Sequence, residues 1–382
     1  MTDPGVYCSA PWTSVTVREN GDVRTCCAGH VVAGNLNNDS IQTIINSSKW
    51  NEIKAQLLHD AHVNCESCVA SEAKTKYSSL RQHYLKYYPI KQVSSNKLKF
   101  IDIRWNNKCN LACQYCEPAL SSVWQDRLGI QKSSAVKDYQ EDLLDWIVTN
   151  AEHVNEVMLV GGEPMLMKQN HVLFQTLPDN CQISIITNLS YDLERLPCIE
   201  DLLKRPRNKI IWNVSMENIG EQFEYVRTGA DWHQVEKNFK FLMKHWPTTI
   251  SINMVYSLFS ALNLNQTIKH FSSWGVNKFT LLQLGDNDEI NVFNMSPEIK
   301  ALSASILQQV QQWHQDCWGS DTDLYPISGL VDLHNGLLNN CKPATITQPH
   351  FFAKINWYDS WAPNKKFKEL WPEVVQLVQQ TL

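Results

Sequence analysis

Residues 108–116 read KCNLACQYC and place three cysteines, Cys109, Cys113 and Cys116, in a C-x3-C-x2-C arrangement. Three thiolates on one short loop leave the four-coordinate tetrahedral shell of a structural zinc ion incomplete. They suit an iron–sulfur cube in which the protein holds three irons and the fourth iron stays open to a small chelating molecule. The alternatives are a zinc knuckle with a distant fourth ligand and three unrelated buried thiols.

The chain has 382 residues, of which 43% are apolar and 12 are cysteine. This is enough for one large domain, or for a large and a small one, with a substantial core. The first seven residues lack the basic and apolar regions of a signal peptide, and the sequence shows no membrane span. We therefore expect a cytoplasmic protein without membrane contact, in which metal ligation is favoured over disulfides. The net charge of −5 gives no global nucleic-acid footprint.

A regular alternation of β-rich runs and helical patterns begins at residue 98. Strands are predicted at 98–105, 156–160, 182–187, 209–215, 249–256 and 278–284, and helices near 138–154, 165–177, 192–205, 232–245 and 263–274. Strands separated by helices in this rhythm form a parallel sheet through right-handed crossovers. We therefore predict an α/β fold with an open, TIM-like partial (β/α)6 barrel over residues 98–285. Chemistry in such barrels occurs at the carboxyl ends of the strands, where the cysteine loop follows the first strand.

Residues 1–88 differ from this pattern and predict a small N-terminal α+β domain. Residues 15–25 predict a β-hairpin, because Asn20-Gly21 supplies the positive φ angles of a type I′ turn. A helix is predicted over residues 40–58, and a further helical segment begins at Cys65.

Residues 89–97 are predicted to link this domain to the barrel. Beyond the barrel, residues 286–382 predict a helical extension to which the sequence assigns no role. Helices are predicted over 297–316 and 364–382, the latter with a break at Pro372.

A second group of cysteines has the spacing of a separate metal site. Cys8 and Cys26 flank the predicted hairpin, and Cys65 and Cys68 form a C-x2-C pair whose sulfurs can reach one metal centre. Four thiolates fully ligate either a [4Fe–4S] cluster or a structural zinc ion, and the spacing does not separate the two. Cys27 is an alternative to Cys26, since neighbouring residues of a strand point to opposite faces. The remaining thiols are expected to be ordinary buried residues, with further cluster ligation by the last two as the alternative: Cys181, Cys198, Cys317 and Cys341.

Glycines and a carboxylate follow the second predicted strand. Residues 160–164, VGGEP, combine glycines that permit close backbone approach to a ligand with a carboxylate that can accept hydrogen bonds from an ammonium group. For all these residues the alternative is turn or cap chemistry.

The cysteine loop resembles the signature of the radical S-adenosylmethionine (radical SAM) superfamily. The resemblance implies that the amino and carboxylate groups of S-adenosylmethionine occupy the open iron, with Tyr115 near the adenine. Gly161, Gly162 and Glu163 look like the GGE motif of that superfamily, which implies that Glu163 binds the methionyl amine. The partial barrel is also the fold that the resemblance implies.

Two further stretches are similar to SPASM-type members of the superfamily. Ser215 and Arg227 match an SxDG…R stretch, which places them near the ribose and the carboxylate of S-adenosylmethionine, while Glu217 stands where aspartate is usual. Thr187 begins a stretch that resembles a TNG turn in which Leu189 replaces the glycine. The resemblance thus implies that Thr187 is a further cofactor contact.

The N-terminal cysteines are similar to those of the SPASM and shorter twitch modules, which carry auxiliary [4Fe–4S] clusters. The resemblance implies one auxiliary cluster with Cys8, Cys26, Cys65 and Cys68 as ligands, hence two [4Fe–4S] clusters in all. Two departures are visible. The module usually follows the barrel but precedes it here, and the C-x5-C-x3-C run of a full SPASM module is missing after Cys68.

The mechanism implied by the resemblance begins with an external electron donor of the flavodoxin or ferredoxin type. Reductive cleavage of S-adenosylmethionine then gives a 5′-deoxyadenosyl radical, which abstracts a hydrogen from the substrate, and the auxiliary cluster transfers electrons. We expect a peptide or protein residue as the substrate. A small-molecule alcohol or sugar dehydrogenase, or a rearrangement enzyme, is the first alternative. Nucleoside or nucleic-acid modification is the second and rests on the basic and aromatic residues of 71–108, which we interpret instead as a solvated face.

Overall fold

The computed structural model describes residues 7–58, 65–74, 80–90, 98–130, 139–284, 288–318, 327–339, 344–362 and 364–382. Cys341 and residues 91–97 of the predicted linker lie outside the described residues. In the described ranges the strands are β1 Ser14–Val17, β2 Asp22–Arg24, β3 Gly34–Asn35, β4 Phe100–Arg104, β5 Glu156–Val160, β6 Gln182–Thr187, β7 Ile210–Ser215, β8 Ile250–Tyr256, β9 Phe279–Gln283 and β10 Ile327–Ser328.

The helices of the same ranges are α1 Ala10–Thr13, α2 Ile41–Ile45, α3 Ser48–Gln56, α4 Glu66–Lys74, α5 Leu80–Tyr87, α6 Ser122–Arg127, α7 Tyr139–Thr149, α8 Lys168–Thr176, α9 Ile199–Lys204, α10 Gly220–Val226, α11 Trp232–His245, α12 Leu258–Ala261, α13 Leu264–Ser273, α14 Pro297–Trp318, α15 Leu330–Asn339, α16 Gln348–Trp361, α17 Phe367–Leu370 and α18 Pro372–Thr381. None of them is both long enough and apolar enough to cross a membrane.

The six predicted strands are β4 to β9, and each begins and ends within two residues of its predicted bounds. Along the chain they alternate with helices in the (β/α)6 order, so the predicted α/β fold of the partial-barrel type is confirmed. The helix predicted over 192–205 is shorter than expected. Only Ile199–Lys204 is α-helical, because Pro197 interrupts the pattern and leaves a short 3-10 turn before it.

The described residues divide into two compact units. The first lies within residues 1–109, 118–186 and 197–211, and the second within 110–117, 187–196 and 212–382. The predicted domain boundaries at 88, 98 and 285 are drawn differently and stay predictions.

In the first unit the N-terminal hairpin continues the sheet formed by the barrel strands. The strand order is β6-β5-β4-β1-β2-β3, and β4, β5 and β6 are parallel. β1 pairs in parallel with β4, with Val15 opposite Ile101, and in antiparallel fashion with β2. The cysteine-bearing N-terminal segment is therefore attached to the first barrel strand by backbone hydrogen bonds.

The hairpin itself is confirmed, but its predicted type I′ turn is wrong. Gly21 has a φ of 85°, whereas Asn20 is not among the described residues with positive φ. The Gly21 N–H donates to the Arg18 carbonyl at 2.9 Å, which makes a type I turn followed by a left-handed glycine. Asn20 stays right-handed because its Oδ1 accepts from the Asp22 N–H at 3.1 Å, a local contact typical of asparagine in turns.

The single helix predicted over residues 40–58 is divided into α2 and α3. Ser40 and Ser47 each act as an N-cap, with Oγ accepting from the N–H of Thr43 and of Trp50, both at 3.1 Å. A second capping serine interrupts a helix because its side chain competes for backbone donors. Trp50 is fully buried on α3, and its Nε1 donates to the Pro11 carbonyl at 2.9 Å.

In the second unit the strands β7, β8, β9 and β10 are parallel neighbours. The predicted helices at 297–316 and 364–382 are present as α14 and as α17 and α18, which are separated at Pro372 as expected. Strand β10 and helices α15 and α16 were not predicted. The C-terminal residues have a structural role, because Trp371 packs edge-on against Tyr225 at 5.4 Å between ring centroids, and Tyr225 Oη donates to Asp359 at 2.9 Å.

Candidate functional site

Four of the five N-terminal cysteines line one small cavity in the first unit. Cys8 precedes α1, Cys26 follows β2, and Cys65 and Cys68 lie one turn apart at the start of α4. These are the four residues predicted as ligands of the auxiliary centre. Cys27 is not among the described residues that line this cavity, which supports Cys26 as the ligand of the adjacent pair.

The pKa values of two of the cavity thiols, Cys8 and Cys26, are raised, which keeps both protonated while no cation is bound. Desolvation raises the pKa of Cys8 from 9.0 to about 12, with a smaller contribution from Cys65 and Cys68. A hydrogen bond with Cys27, and then burial, raises the pKa of Cys26, while the same hydrogen bond lowers the pKa of Cys27. Binding of a metal centre therefore has to release protons from this cavity.

The cavity wall also carries Arg81 and Tyr84. Arg81 forms two hydrogen bonds with the Glu72 carboxylate, at 2.8 and 2.7 Å, and a third with the Tyr7 carbonyl at 3.0 Å. Tyr84 is 1% exposed, and its hydroxyl has no hydrogen-bond partner among the described residues. A buried hydroxyl without a partner fits a group that supplies acceptors, and four thiolates are the donor set of an iron–sulfur cluster. Among the described residues, no three His, Cys, Asp or Glu side chains converge closely enough to hold a single metal ion.

The glycines of the GGE stretch pack against the backbone that leads into the cysteine loop. A Cβ on Gly162 would lie 2.0 Å from the carbonyl oxygen of Lys108, and Gly161 has a φ of 93°. The Glu163 N–H donates to the same Lys108 carbonyl at 2.8 Å. The visible role of both glycines is thus to let β5 approach residues 104–108, and their contact with a cofactor stays a prediction.

Glu163 is fully buried at the carboxyl end of β5. Its Oε1 accepts from the Met165 N–H at 3.1 Å, so the carboxylate caps the short turn that follows. This is the cap chemistry considered as the alternative, and the predicted contact with the methionyl amine stays a prediction.

Cys109 is held at the end of the first unit by a serine that the sequence did not indicate. Its N–H donates to Ser122 Oγ at 3.1 Å, and this hydroxyl donates back to the Cys109 carbonyl at 3.2 Å. The Ser122 N–H donates to the Asn107 carbonyl at 2.8 Å. These bonds fix the backbone on which the first cysteine of the loop is carried.

In the second unit, the middle of the cysteine loop runs beside residues 226–228. The Ala112 N–H donates to the Thr228 carbonyl at 2.9 Å, and the Gln114 N–H donates to the Val226 carbonyl at 2.8 Å. The Gln114 side chain adds a hydrogen bond to Thr228 Oγ1 at 2.8 Å. Cys113 therefore lies opposite Arg227 in this pairing.

Two asparagines connect the cysteine loop to the turn after β6 through hydrogen bonds. Asn110 donates to the Ser190 carbonyl at 2.6 Å, and Asn188 donates to Asn110 Oδ1 at 2.9 Å. Thr187 Oγ1 accepts from the Leu189 N–H at 3.0 Å, so its hydroxyl is engaged in the turn. Neither asparagine was predicted as a site residue, although Asn188 is the second residue of the stretch that resembles a TNG turn.

Arg227 is paired with Glu217, not left open for a ligand carboxylate. Its Nε and Nη2 each lie 2.8 Å from a Glu217 oxygen, and its Nη1 lies 3.8 Å from Cys113 Sγ. Glu217 thus occupies the guanidinium fork that was predicted to hold the carboxylate of S-adenosylmethionine, and the contact of Arg227 with the cofactor stays a prediction. Burial lowers the pKa of Arg227, but attraction from Glu217, Tyr115 and Cys113 outweighs it and raises the pKa, so the side chain stays cationic.

The other predicted cofactor residues of this unit surround the same pair. The guanidinium carbon of Arg227 lies 5.8 Å from the ring centroid of Tyr115. Ser215 ends β7 opposite Asn253 of β8, two residues before Glu217. Contacts of Tyr115 and Ser215 with a cofactor stay predictions.

In the described part of residues 71–108, the basic and aromatic side chains are divided between buried and exposed positions. Tyr84 and Tyr88 are buried, and the Tyr88 hydroxyl donates to Glu156. Arg81 is engaged by Glu72 at the cysteine cavity. Packing of α5 thus accounts for Arg81, Tyr84 and Tyr88, whereas Lys86 and Tyr87 are exposed, so the solvated-face interpretation holds for one side of α5.

Residues 8–69 match SPASM, an iron–sulfur cluster-binding domain. The GTP 3′,8-cyclase of Clostridium botulinum is 26% identical over 165 residues, which is 42% of this chain and 48% of the relative. The GTP 3′,8-cyclase of Nautilia profundicola is 27% identical over 113 residues, 28% of this chain and 34% of the relative. The chain thus spans about half the length, or less, of the curated relatives it matches.

Among solved structures, anSMEcpe with bound AdoMet is 19% identical, covers 60% of this chain and 65% of its own, and has a TM-score of 0.42. Streptococcus suis SuiB bound to S-adenosylmethionine is 16% identical, covers 71% of this chain and 60% of its own, and has a TM-score of 0.41. Likeness at this level carries no argument about substrate.

Proposed function

We propose that this chain, a radical SAM enzyme with a SPASM-type domain ahead of its barrel, holds two [4Fe–4S] clusters and abstracts a hydrogen atom from its substrate. Cys109, Cys113 and Cys116 would hold one cluster, at which S-adenosylmethionine would bind. When bound, the cluster and this cofactor supply a 5′-deoxyadenosyl radical. The observation that carries the proposal is the single cavity lined by Cys8, Cys26, Cys65 and Cys68 within the SPASM match, in a chain that also has the C-x3-C-x2-C loop.

The sequence resemblance supplies the candidate cofactor contacts. We assign Glu163, Ser215 and Thr187 to hydrogen bonds with its polar groups and Tyr115 to its adenine. Gly161 and Gly162 act indirectly, because they allow the segment that leads from β5 to Glu163 to pack against the backbone before the cysteine loop.

Cys8, Cys26, Cys65 and Cys68 would hold the auxiliary cluster with four thiolates. We assign this cluster to electron transfer: it would supply an acceptor for one electron of the substrate radical, so that the net reaction would be a two-electron oxidation. An external donor of the flavodoxin or ferredoxin type supplies electrons to the other cluster. The Cys65→Ala variant is expected to form 5′-deoxyadenosine but not the oxidised product. Intact product formation by this variant contradicts the assignment.

We favour a peptide or protein residue as the substrate, and the support is the SPASM match. The sequence resemblance associates SPASM modules with peptide and protein modification as well as with small-molecule oxidation. A small-molecule substrate related to a nucleotide is the second candidate, since the curated relatives are GTP 3′,8-cyclases. The two differ in which compound stimulates cleavage of S-adenosylmethionine. GTP and a peptide library are therefore compared as stimulants in the reduced, reconstituted enzyme.

Metal content tests the cluster assignment directly. Iron, zinc and acid-labile sulfide are measured per chain after anaerobic reconstitution, for the wild type and for the Cys109/Cys113/Cys116→Ala triple variant. About eight irons falling to about four are expected for two clusters. About four irons falling to none, with zinc retained, would mean that the N-terminal site is structural, and the electron-acceptor role would then be dropped.

A further inference from the structure

The ion pair between Arg227 and Glu217 has a third partner, the middle cysteine of the loop. Arg227 is 5% exposed and Glu217 is 1% exposed, and Nη1 of the arginine is directed at Cys113 Sγ. A buried ion pair contributes little to fold stability, because desolvation of both charges offsets their attraction. The placement of this pair beside a predicted ligand sulfur therefore needs a reason other than stability.

The backbone fixes this contact from both sides. Hydrogen bonds at residues 112 and 114 flank Cys113, and their acceptors at 228 and 226 flank Arg227, so the two side chains are held opposite each other. On the other side, Glu217 Oε1 accepts from the Val255 N–H at 3.3 Å, at the end of β8. The guanidinium is thus held between an anchored carboxylate and an anchored sulfur.

We propose that Arg227, held in place by Glu217, is a positioning residue that donates a hydrogen bond to the Cys113 thiolate and raises the reduction potential of the cluster in the cysteine loop. The inference rests on the proposed function. A cation and an N–H donor at a ligand sulfur stabilise the reduced cluster, which carries one more negative charge, more than the oxidised one. Glu217 has two effects, since it orients the guanidinium and also offsets its charge.

The test is a redox titration of the reconstituted full chain, monitored by electron paramagnetic resonance without S-adenosylmethionine. For Arg227→Gln, the ratio of reduced to oxidised loop cluster at a fixed potential is expected to fall about tenfold, which for a one-electron couple is a shift of ~59 mV. Arg227→Lys keeps the charge but loses the fork, so its shift is expected to have the same sign and a smaller size. Glu217→Gln removes the opposing charge while keeping an acceptor oxygen, and is expected to shift the potential upward.

Two controls separate this effect from general damage to the fold. Arg205 is also a buried arginine, but its guanidinium bonds the backbone carbonyls of Leu177 and Pro178, at 2.8 and 2.6 Å. Arg205→Gln is expected to lower stability and leave the potential of the loop cluster unchanged. The auxiliary cluster, whose spectrum is taken from the Cys109/Cys113/Cys116→Ala variant, serves as the internal reference and is expected not to shift.

Unchanged potentials in Arg227→Gln and Arg227→Lys, at wild-type iron content, overturn the proposal. Shifts of the same sign in Arg227→Gln and Glu217→Gln also overturn it, because they indicate disorder and not charge. If neither arginine variant holds the loop cluster, Glu217→Gln carries the test, and a potential that fails to rise counts against the proposal. Failure of the proposed function is a separate result. In that case the Cys109/Cys113/Cys116→Ala variant would hold as much iron per chain as the wild type.

Discussion

At the residue scale, Gly162, the second residue after β5, is constrained by the backbone that leads into the cysteine loop. The space for a Cβ at Gly162 is taken by backbone, the Lys108 carbonyl, which no side-chain rotation can move. The sequence identified this glycine through a resemblance to a cofactor-binding motif. Its contact with the loop backbone is visible only in the structure.

We expect Gly162→Ala to lower the free energy of unfolding by about 1–3 kcal/mol through overpacking and to reduce iron in the loop cluster while sparing the auxiliary one. Gly129→Ala is the control for backbone strain without a packing clash. Gly129 also lies in the first unit, and its φ of 63° strains an alanine by about 1–2 kcal/mol, but a Cβ there meets nothing within 4 Å. Iron counts and denaturant unfolding of both variants check this, and equal loss of loop iron in the two contradicts the packing role.

Leu189 is the one described non-glycine residue with positive φ, at 57°, and its side chain is fully buried. Loss of a buried leucine side chain costs about 2–5 kcal/mol, while left-handed backbone costs a non-glycine residue about 1–2 kcal/mol. Burial therefore outweighs strain, and both Leu189→Ala and Leu189→Gly are expected to destabilise the chain. The glycine variant is expected to be more stable than the alanine variant by about 1 kcal/mol, because only glycine relieves the strain. Chemical denaturation checks this order, and the reverse order contradicts the strain argument.

At the element scale, capping decides where helices end in the N-terminal domain. The sequence pattern predicts one helix over residues 40–58, because the apolar positions Ile44, Trp50 and Ile53 continue across the break. Helical periodicity does not show that Ser47 uses its hydroxyl as a second N-cap. Local hydrogen bonding, and not the apolar pattern, therefore sets the boundary.

Ser47→Ala is expected to cost about 1 kcal/mol of stability by removing the cap of α3. The neighbouring Ser48 is exposed and lies at the first position inside α3, so Ser48→Ala is the matched control and is expected to be nearly neutral. Urea unfolding followed by tryptophan fluorescence compares the two variants. A cost for Ser48→Ala as large as that for Ser47→Ala would argue against the cap.

At the scale of the whole molecule, burial of thiols in the cysteine cavity links stability to pH. The pKa of Cys8 is 9.0 ordinarily and about 12 in the folded chain, so this thiol stabilises the metal-free fold below pH 9. Between pH 9 and 12 the unfolded chain has already lost the proton that the folded chain retains. The stability contributed by this group is therefore lost as pH rises through that window.

The metal-free Cys8→Ser variant is expected to lose stability less steeply than the wild type between pH 9 and 11, by about 1 kcal/mol per pH unit. Cys317→Ser serves as the control, because Cys317 is an exposed thiol on α14. Unfolding curves of the three chains at pH 8 to 11 provide the measurement. Parallel curves for Cys8→Ser and the wild type would show that this thiol is not the one linked to pH.

The sequence by itself determined the α/β class, the six barrel strands and the two cysteine groups. Strand periodicity and thiolate spacing are local properties, because each is defined by residues that lie a few positions apart in the sequence. The tertiary structure alone decided that β1 joins β4, that Cys26 lines the cavity in place of Cys27, and that Glu217 occupies the fork of Arg227. The first and the last are contacts between segments that are separated along the chain, and the second is a choice between two neighbouring residues. All three depend on side-chain direction and packing, which spacing along the sequence does not encode.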